Sequence, residues 1–195
     1  RGSRRIVRSV AAISTWDYEP TPQETITHLS VARRRLTLPL AALPDLATAE
    51  ADLARTRKAR DEAFSSRSQG AKNVAQRMFA WAQQRHQLVA AGNRIVTREI
   101  ELWAMRINDI GIATVSAEPL TELGLEIKRR SPLPHTMFLG YSNGCIGYIP
   151  PPEAFAEGGM EVVESHYNYL LASQLTPAWA PAVIEATLEM LLGLE

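Results

Sequence analysis

The sequence predicts an α/β fold with α+β character: a mixed β-sheet covered by helices, with a helical hairpin inserted around residues 45–91. Three observations lead there. Residues 95–107 alternate, with Ile100, Leu102 and Ala104 on one face and Trp103, Met105 and Ile107 on the other. Apolar residues on both faces are the pattern of an interior strand in a sheet covered on both sides. Residues 45–65 are rich in Ala, Leu, Arg and Glu, and residues 71–91 repeat Val74, Met78, Trp81 and Leu88 at helical spacing, so two long helices follow one another. The C-terminal third carries further helical pattern after the last strand-like stretch, Tyr148-Ile149.

The elements can be justified in order. Ile6, Val7, Val10, Ala11 and Ile13 stand at helical spacing, with Ser3 as N-cap, and predict a short helix over residues 4–13. Residues 16–23 carry two prolines and read as a loop. Residues 25–38 interleave Ile26, Leu29, Val31, Leu36 and Leu38 with Thr and Arg, as a strand does. Asp45 caps the first long helix, residues 65–70 (Ser-Ser-Arg-Ser-Gln-Gly) break it, and Gly92-Asn93 stops the second. Asn108-Asp109 then turns the long strand back on residues 110–115, antiparallel to it. A helix over residues 119–129, a strand over residues 136–141 and helices over residues 152–157, 161–174 and 177–192 complete the chain. In the last of these Val183, Ile184, Thr187, Leu188 and Leu191 form the inward stripe.

Bulk properties bound the function. The chain of 195 residues suffices for one sizeable domain or part of a larger one. Its 21 basic and 21 acidic residues cancel, so no global field favours nucleic acid or acidic lipid. The runs Arg33-Arg34-Arg35 and Lys128-Arg129-Arg130 read as solvated faces, and nucleic-acid binding through them is a third and weaker hypothesis. A single cysteine, Cys145, excludes an internal disulfide framework and a cysteine-only zinc site. No run has the length of a membrane span, and no signal peptide opens the chain. Arg1-Gly2-Ser3 lacks an initiator Met, which is expected of a processed, truncated or engineered end and leaves the compartment open between cytoplasm and secretion.

Two residues stand where α/β proteins place ligand chemistry. Glu118 follows the small and apolar strand Gly111, Ala113, Val115 and precedes Pro119, which suits a first helical turn. At that place an ionised carboxylate can ligate a hard metal, anchor a substrate amine, or simply cap the helix. Tyr148 lies in Gly144-Cys-Ile-Gly-Tyr-Ile-Pro150, between glycines that permit close backbone approach. Its phenol can donate to an oxyanion, ligate a metal, or bond locally to backbone. His86 has no partner one helical turn away and reads as a surface or packing residue. His135 reads as structural and His166 as packing.

Three longer segments carry a resemblance: Glu122-Leu-Gly-Leu-Glu-Ile-Lys-Arg-Arg-Ser-Pro-Leu-Pro-His135, Gly140-Tyr-Ser-Asn-Gly-Cys-Ile-Gly-Tyr-Ile149 and Glu153-Ala-Phe-Ala-Glu-Gly-Gly159. Together they resemble the neutral/alkaline non-lysosomal ceramidase family, its short bacterial ceramidase-like members above all, from about residue 31 to 192. The resemblance implies a zinc-dependent amidohydrolase in which metal-activated water cleaves an N-acyl amide. It implies that Glu118 and Tyr148 are metal ligands, that Tyr148 is also the catalytic phenol, and that two histidines outside this chain complete the zinc site. Residues 1–195 are then one unit, the C-terminal half of a larger catalytic domain. Its partner would be the N-terminal half of the same protein or another chain, and its substrate a lipid-like amide. Ser116-Ala117 stands where the family has Pro-Gly, and Met160 where ceramidases carry a further tyrosine. His28, His86, His135 and His166 do not match the family's metal motifs, and the immunoglobulin-like domain that ends true ceramidases is expected to be absent.

These departures motivate an alternative, a non-catalytic structural or binding module that keeps the ceramidase-like fold. Half of a mixed sheet is also expected to leave an edge or apolar face unpartnered, so that the chain needs a partner or forms a homo-oligomer.

Overall fold

The structure, a computed structural model, describes residues 4–7, 15–18, 25–65 and 68–194. Its centre is a four-stranded mixed sheet in the order β3 (Leu29–Pro39), β4 (Thr97–Ile107), β5 (Ile110–Val115), β7 (His135–Leu139). The first three strands run antiparallel, and β7 is parallel to β5. The β4–β5 turn is built on Asn108, whose φ is 53° and whose side-chain carbonyl accepts from the backbone N–H groups of Thr27 and His28 at 2.9 and 3.1 Å. An Asn tolerates the left-handed conformation because its short amide can bond locally. The parallel β5–β7 pair needs a crossover, supplied by α3 (Thr121–Arg130).

Helices α3 and α6 (Trp179–Leu192) pack on one face of the sheet. Ile100 and Leu102 of β4 and Ala113 and Val115 of β5 bury there with Leu123 and Ile127 of α3 and Trp179, Val183 and Leu191 of α6. Gly111 marks a close approach of sheet and helix: a Cβ there would lie 2.8 Å from Leu133 Cδ1 and 3.2 Å from Leu191 Cδ2. The inward stripe read from the sequence is formed, with Val183, Thr187, Leu188 and Leu191 buried and Ile184 half-buried. The reading of β4 as covered on both sides is corrected: Trp103, Met105 and Ile107 are half-buried and face away from the helices that cover Ile100, Leu102 and Ala104.

The helical hairpin is inserted between β3 and β4, which nevertheless pair along their whole lengths, from Leu29 opposite Ile107 to Pro39 opposite Thr97. Asp45 caps α1 (Leu46–Phe64) by accepting from the Thr48 N–H at 2.7 Å, and Ser68 caps α2 (Gln69–Ala90) through the Ala71 N–H at 3.3 Å. Of the apolar stripe read from the sequence, Trp81 is buried and Met78 and Leu88 are half-buried, whereas Val74 is exposed; Phe79, Ala82 and Val89 are buried beside them. Trp81 fixes the direction: it is fully buried, and its indole N–H donates to the Leu171 carbonyl at 2.9 Å.

Three further expectations change. Residues 4–7 and 15–18 form antiparallel strands β1 (Arg4–Val7) and β2 (Thr15–Tyr18) in place of a helix start and a loop. Arg-Arg-Ile-Val and Thr-Trp-Asp-Tyr carry the β-branched and aromatic residues that favour strands. The rest of the helix expected over residues 4–13 lies outside the described residues. Glu118–Pro119 is a two-residue strand, β6, and α3 starts only at Thr121 with Leu120 as its cap, because this segment pairs in parallel with β8 (Tyr148–Ile149). The single helix expected over residues 161–174 is broken into a π-helical turn, Met160–Glu164, the short α5 (Ser165–Asn168) and irregular chain from Tyr169. Pro152 to Glu157 contributes α4 (Ala154–Glu157).

Candidate functional site

The carboxyl ends of the parallel strands β5 and β7 open onto one cluster, where open α/β sheets bind ligands. Chain leaving β5 enters β6 at Glu118, and chain leaving β7 passes Gly140 and Tyr141. Backbone bonds lock the two exits together: Tyr141 N–H donates to Ala117 O at 2.8 Å, Glu118 N–H to Gly147 O at 2.8 Å, and Ile146 N–H to Ser116 O at 3.1 Å. The close approach requires Gly140, where a Cβ would meet Pro119 Cδ at 2.7 Å. The Asn143-Gly144 turn has positive φ at both residues, 60° and 131°, and returns the chain to β8.

The parallel β6–β8 register sets Glu118 directly beside Tyr148, so the two residues singled out from the sequence are brought together. Around them stand three groups that sequence reasoning missed as functional. Tyr141 donates its hydroxyl to Glu118 Oε2, and Tyr169 donates to Oε1. The Cys145 thiol lies 3.5 Å from Oε1. The Tyr148 hydroxyl also faces the carboxylate, and its ring meets that of Tyr169 edge-on with centroids 6.4 Å apart. Tyr169 reaches Glu118 because Gly147 has no side chain: a Cβ there would lie 2.7 Å from Tyr169 Cδ2. Tyr141 and Cys145 lie inside a motif already quoted and could have been found there, whereas nothing in the sequence flags Tyr169, 51 residues from its partner.

The electrostatics follow from this geometry. Glu118 is only 7% exposed, and burial pushes its carboxyl up. The hydroxyls of Tyr141, Tyr169 and Tyr148 and the Cys145 thiol outweigh that and hold it below the usual carboxylate range. The hydrogen bond to Glu118, with burial and the carboxylate charge, raises Tyr141 to about 12. Burial first, then the same carboxylate, raises Tyr169. Tyr148 is raised mainly by the charge of Glu118, with a smaller contribution from Glu161. At neutral pH the cluster is one carboxylate facing protonated phenols.

Two cavities flank it. One of about 260 Å³ is lined by Pro119, Leu120, Leu125, Lys128, Phe138 and Tyr141. The other, about 400 Å³, is acidic, with Glu122, Glu153, Glu157 and Glu161 in its wall.

The histidines lie elsewhere. His28 Nε2 is 3.0 Å from Leu194 O, His135 is exposed and 3.6 Å from Asp109, and His86 is half-buried on α2. His166 is buried against Trp81 and Tyr167, and burial, with Arg85 nearby, lowers it to about 4. Among the described residues no three His, Cys, Asp or Glu side chains converge where they could hold a metal. The donor chemistry fits part of a zinc shell: Glu118 and Tyr148 offer adjacent hard oxygen ligands, and a four-coordinate site needs others. The arginine runs are engaged with acids, Arg33 and Arg35 with Glu101, Arg34 with Glu189, Arg129 with Glu126 and Arg130 with Glu185. Among the described residues no helix is long and apolar enough to cross a membrane.

No protein-family model and no curated protein matches the chain. Among solved structures it is similar to the neutral ceramidase from Pseudomonas aeruginosa, with 16% identity and a TM-score of 0.36. The match covers 52% of this chain and 15% of that one, an overlap that carries no argument about function.

Proposed function

We propose that this chain is the glutamate- and tyrosine-bearing part of a ceramidase-like, zinc-dependent amidohydrolase, the C-terminal half of a larger catalytic domain. The observation that carries the reading is the β6–β8 register. It places Glu118 beside Tyr148, the two positions that match the family's metal ligands, at the carboxyl ends of parallel strands. Glu118 and Tyr148 would hold the zinc together with two histidines from outside this chain. When bound, the metal would polarise the amide carbonyl and lower the pKa of a bound water to about 7.

The chain's own residues prepare that site. Tyr169, packed under Gly147, orients Glu118 from one side and keeps it ionised. Tyr141, exposed at the outer side, is the donor whose bond opens when the carboxylate takes up another ligand. Its hydroxyl remains protonated at neutral pH and can then donate to oxygen developing negative charge. The apolar cavity beside Tyr141 receives the acyl group.

The test is metal content and amide hydrolysis in protein reconstituted with the histidine-bearing segment. Glu118→Ala and Tyr148→Phe should each lose zinc, with activity falling at least about 100-fold. Unchanged zinc and activity in both variants would sink the reading.

One observation favours a second reading. Glu118 already receives hydroxyls at both carboxylate oxygens, so the cluster is satisfied as a structural knot in a non-catalytic module. Glu118→Gln would then cost stability and leave metal content unchanged.

A further inference from the structure

Helix α3 carries a glycine in its interior, Gly124, at a place where the fold does not ask for one. Glycine is the poorest helix former after proline. Gly124 has no positive φ, and a Cβ there would meet Phe138 Cδ1 at 3.7 Å, an ordinary contact. Gly140 differs: a Cβ there would lie 2.7 Å from Pro119 Cδ and 3.0 Å from Ala117 O, so that glycine is needed for packing. What the missing side chain leaves at position 124 is space. Thr121, Gly124, Leu125 and Lys128 share one face of α3 and, with Phe138 and Tyr141, line the cavity of about 260 Å³. From Thr121 to Lys128 this face runs about 10 Å, at a helical rise of about 1.5 Å per residue. Tyr141, in the same wall, donates its hydroxyl to Glu118 Oε2, so the cavity adjoins the carboxylate.

We propose that Gly124 keeps this cavity open as an acyl subsite, and that the site takes amides of straight-chain acyl groups of medium length. The amide carbonyl lies at the Tyr141 hydroxyl, and the chain lies along α3 over Gly124 and Leu125 against Phe138. Each methylene placed on these walls adds up to about fourfold in affinity, and the gain stops once the chain spans the groove. A larger residue at 124 takes the place of part of the chain. Calling the occupant an acyl group rests on the amidohydrolase reading. The subsite itself is tested without metal or turnover, so the two can fail separately.

The test is binding of straight-chain amides, from acetamide to decanamide, to the chain as it stands, followed by backbone amide NMR. Shifts at Gly124, Phe138 and Gly140 are expected, with affinity rising along the series and levelling near octanamide. Gly124→Leu should weaken octanamide at least about tenfold and leave acetamide unchanged. Gly124→Ala should raise the unfolding midpoint by about 2–4 °C, because alanine fits and favours the helix. Should Gly124→Leu not fold, Leu125→Gln decides: at an exposed position of the wall, it must weaken octanamide and spare acetamide. A Gly124→Ala protein less stable than the parent would show that the fold itself requires the glycine, and overturns the proposal. So does octanamide bound no more tightly than acetamide, or bound with full affinity by the folded Gly124→Leu or Leu125→Gln variant. Octanamide binding that vanishes on reconstitution with the histidine-bearing segment would show that the cavity seats that segment, and overturns it as well.

Discussion

At the scale of single residues, the cluster is decided by which protonation state of Glu118 the neighbours prefer. Tyr141 and Tyr169 donate to it, and donors favour the ionised form over the neutral one. The folded carboxyl therefore titrates below its unfolded value. The stability this contributes is complete above the unfolded pKa, about 4.3, and is lost as pH falls through the lower folded value. Glu118→Gln should abolish that part of the acid destabilisation and cost about 1–3 kcal/mol at neutral pH, where an amide cannot accept both hydroxyls equally well. Thermal unfolding of both proteins from about pH 3 to 7 measures it. A Gln variant with the same acid profile as the parent would show that the phenols do not select the carboxylate.

At the scale of elements, the docking of α2 onto the segment that holds Tyr169 is the coupling to examine. Trp81 donates to the Leu171 carbonyl, its ring meets that of Tyr167 at 4.5 Å, and Arg85 lies 4.8 Å over it. Trp81→Phe keeps an aromatic ring but loses the donor and some volume, so about 2–3 kcal/mol of stability should go. Amide exchange over residues 165–172 should rise more than elsewhere, and chemical denaturation gives the total.

The same scale shows what could be read in advance. Strands β3, β4, β5 and β7 and helices α1, α2 and α6 were legible because their patterns are long and local. Glu118–Pro119 was not, because it becomes a strand only through β8, 30 residues downstream, while its local signal says helix start. The break within residues 160–174 was hidden for a like reason: positive φ at Leu170 and the turn from Leu171 N–H to His166 O serve packing against Trp81. Tyr169 joined the cluster through that packing, which no periodicity encodes. Alternation in β4 revealed two apolar faces correctly, but what covers each is a property of the whole sheet.

At the scale of the molecule, the insertion of α1 and α2 between two strands that pair along their full length has a kinetic consequence. Pro39 and Thr97 must meet across the whole insertion, and an unstructured loop of that length would cost about 2 kcal/mol more to close than a tight turn. Two antiparallel helices remove most of that cost, because once they fold against each other their outer ends lie together. The hairpin thus works as an extended turn, assembled from local contacts before the long-range strands zip. Ala54→Pro, at an exposed position of α1, should accordingly slow refolding by roughly the whole of its destabilisation and leave unfolding little changed. Stopped-flow rates in both directions would read this, and an effect falling on unfolding alone would place hairpin formation after the sheet. An appendage that meets the Tyr169 segment through Trp81, Arg77 and Val89 would then set how quickly the site comes into being.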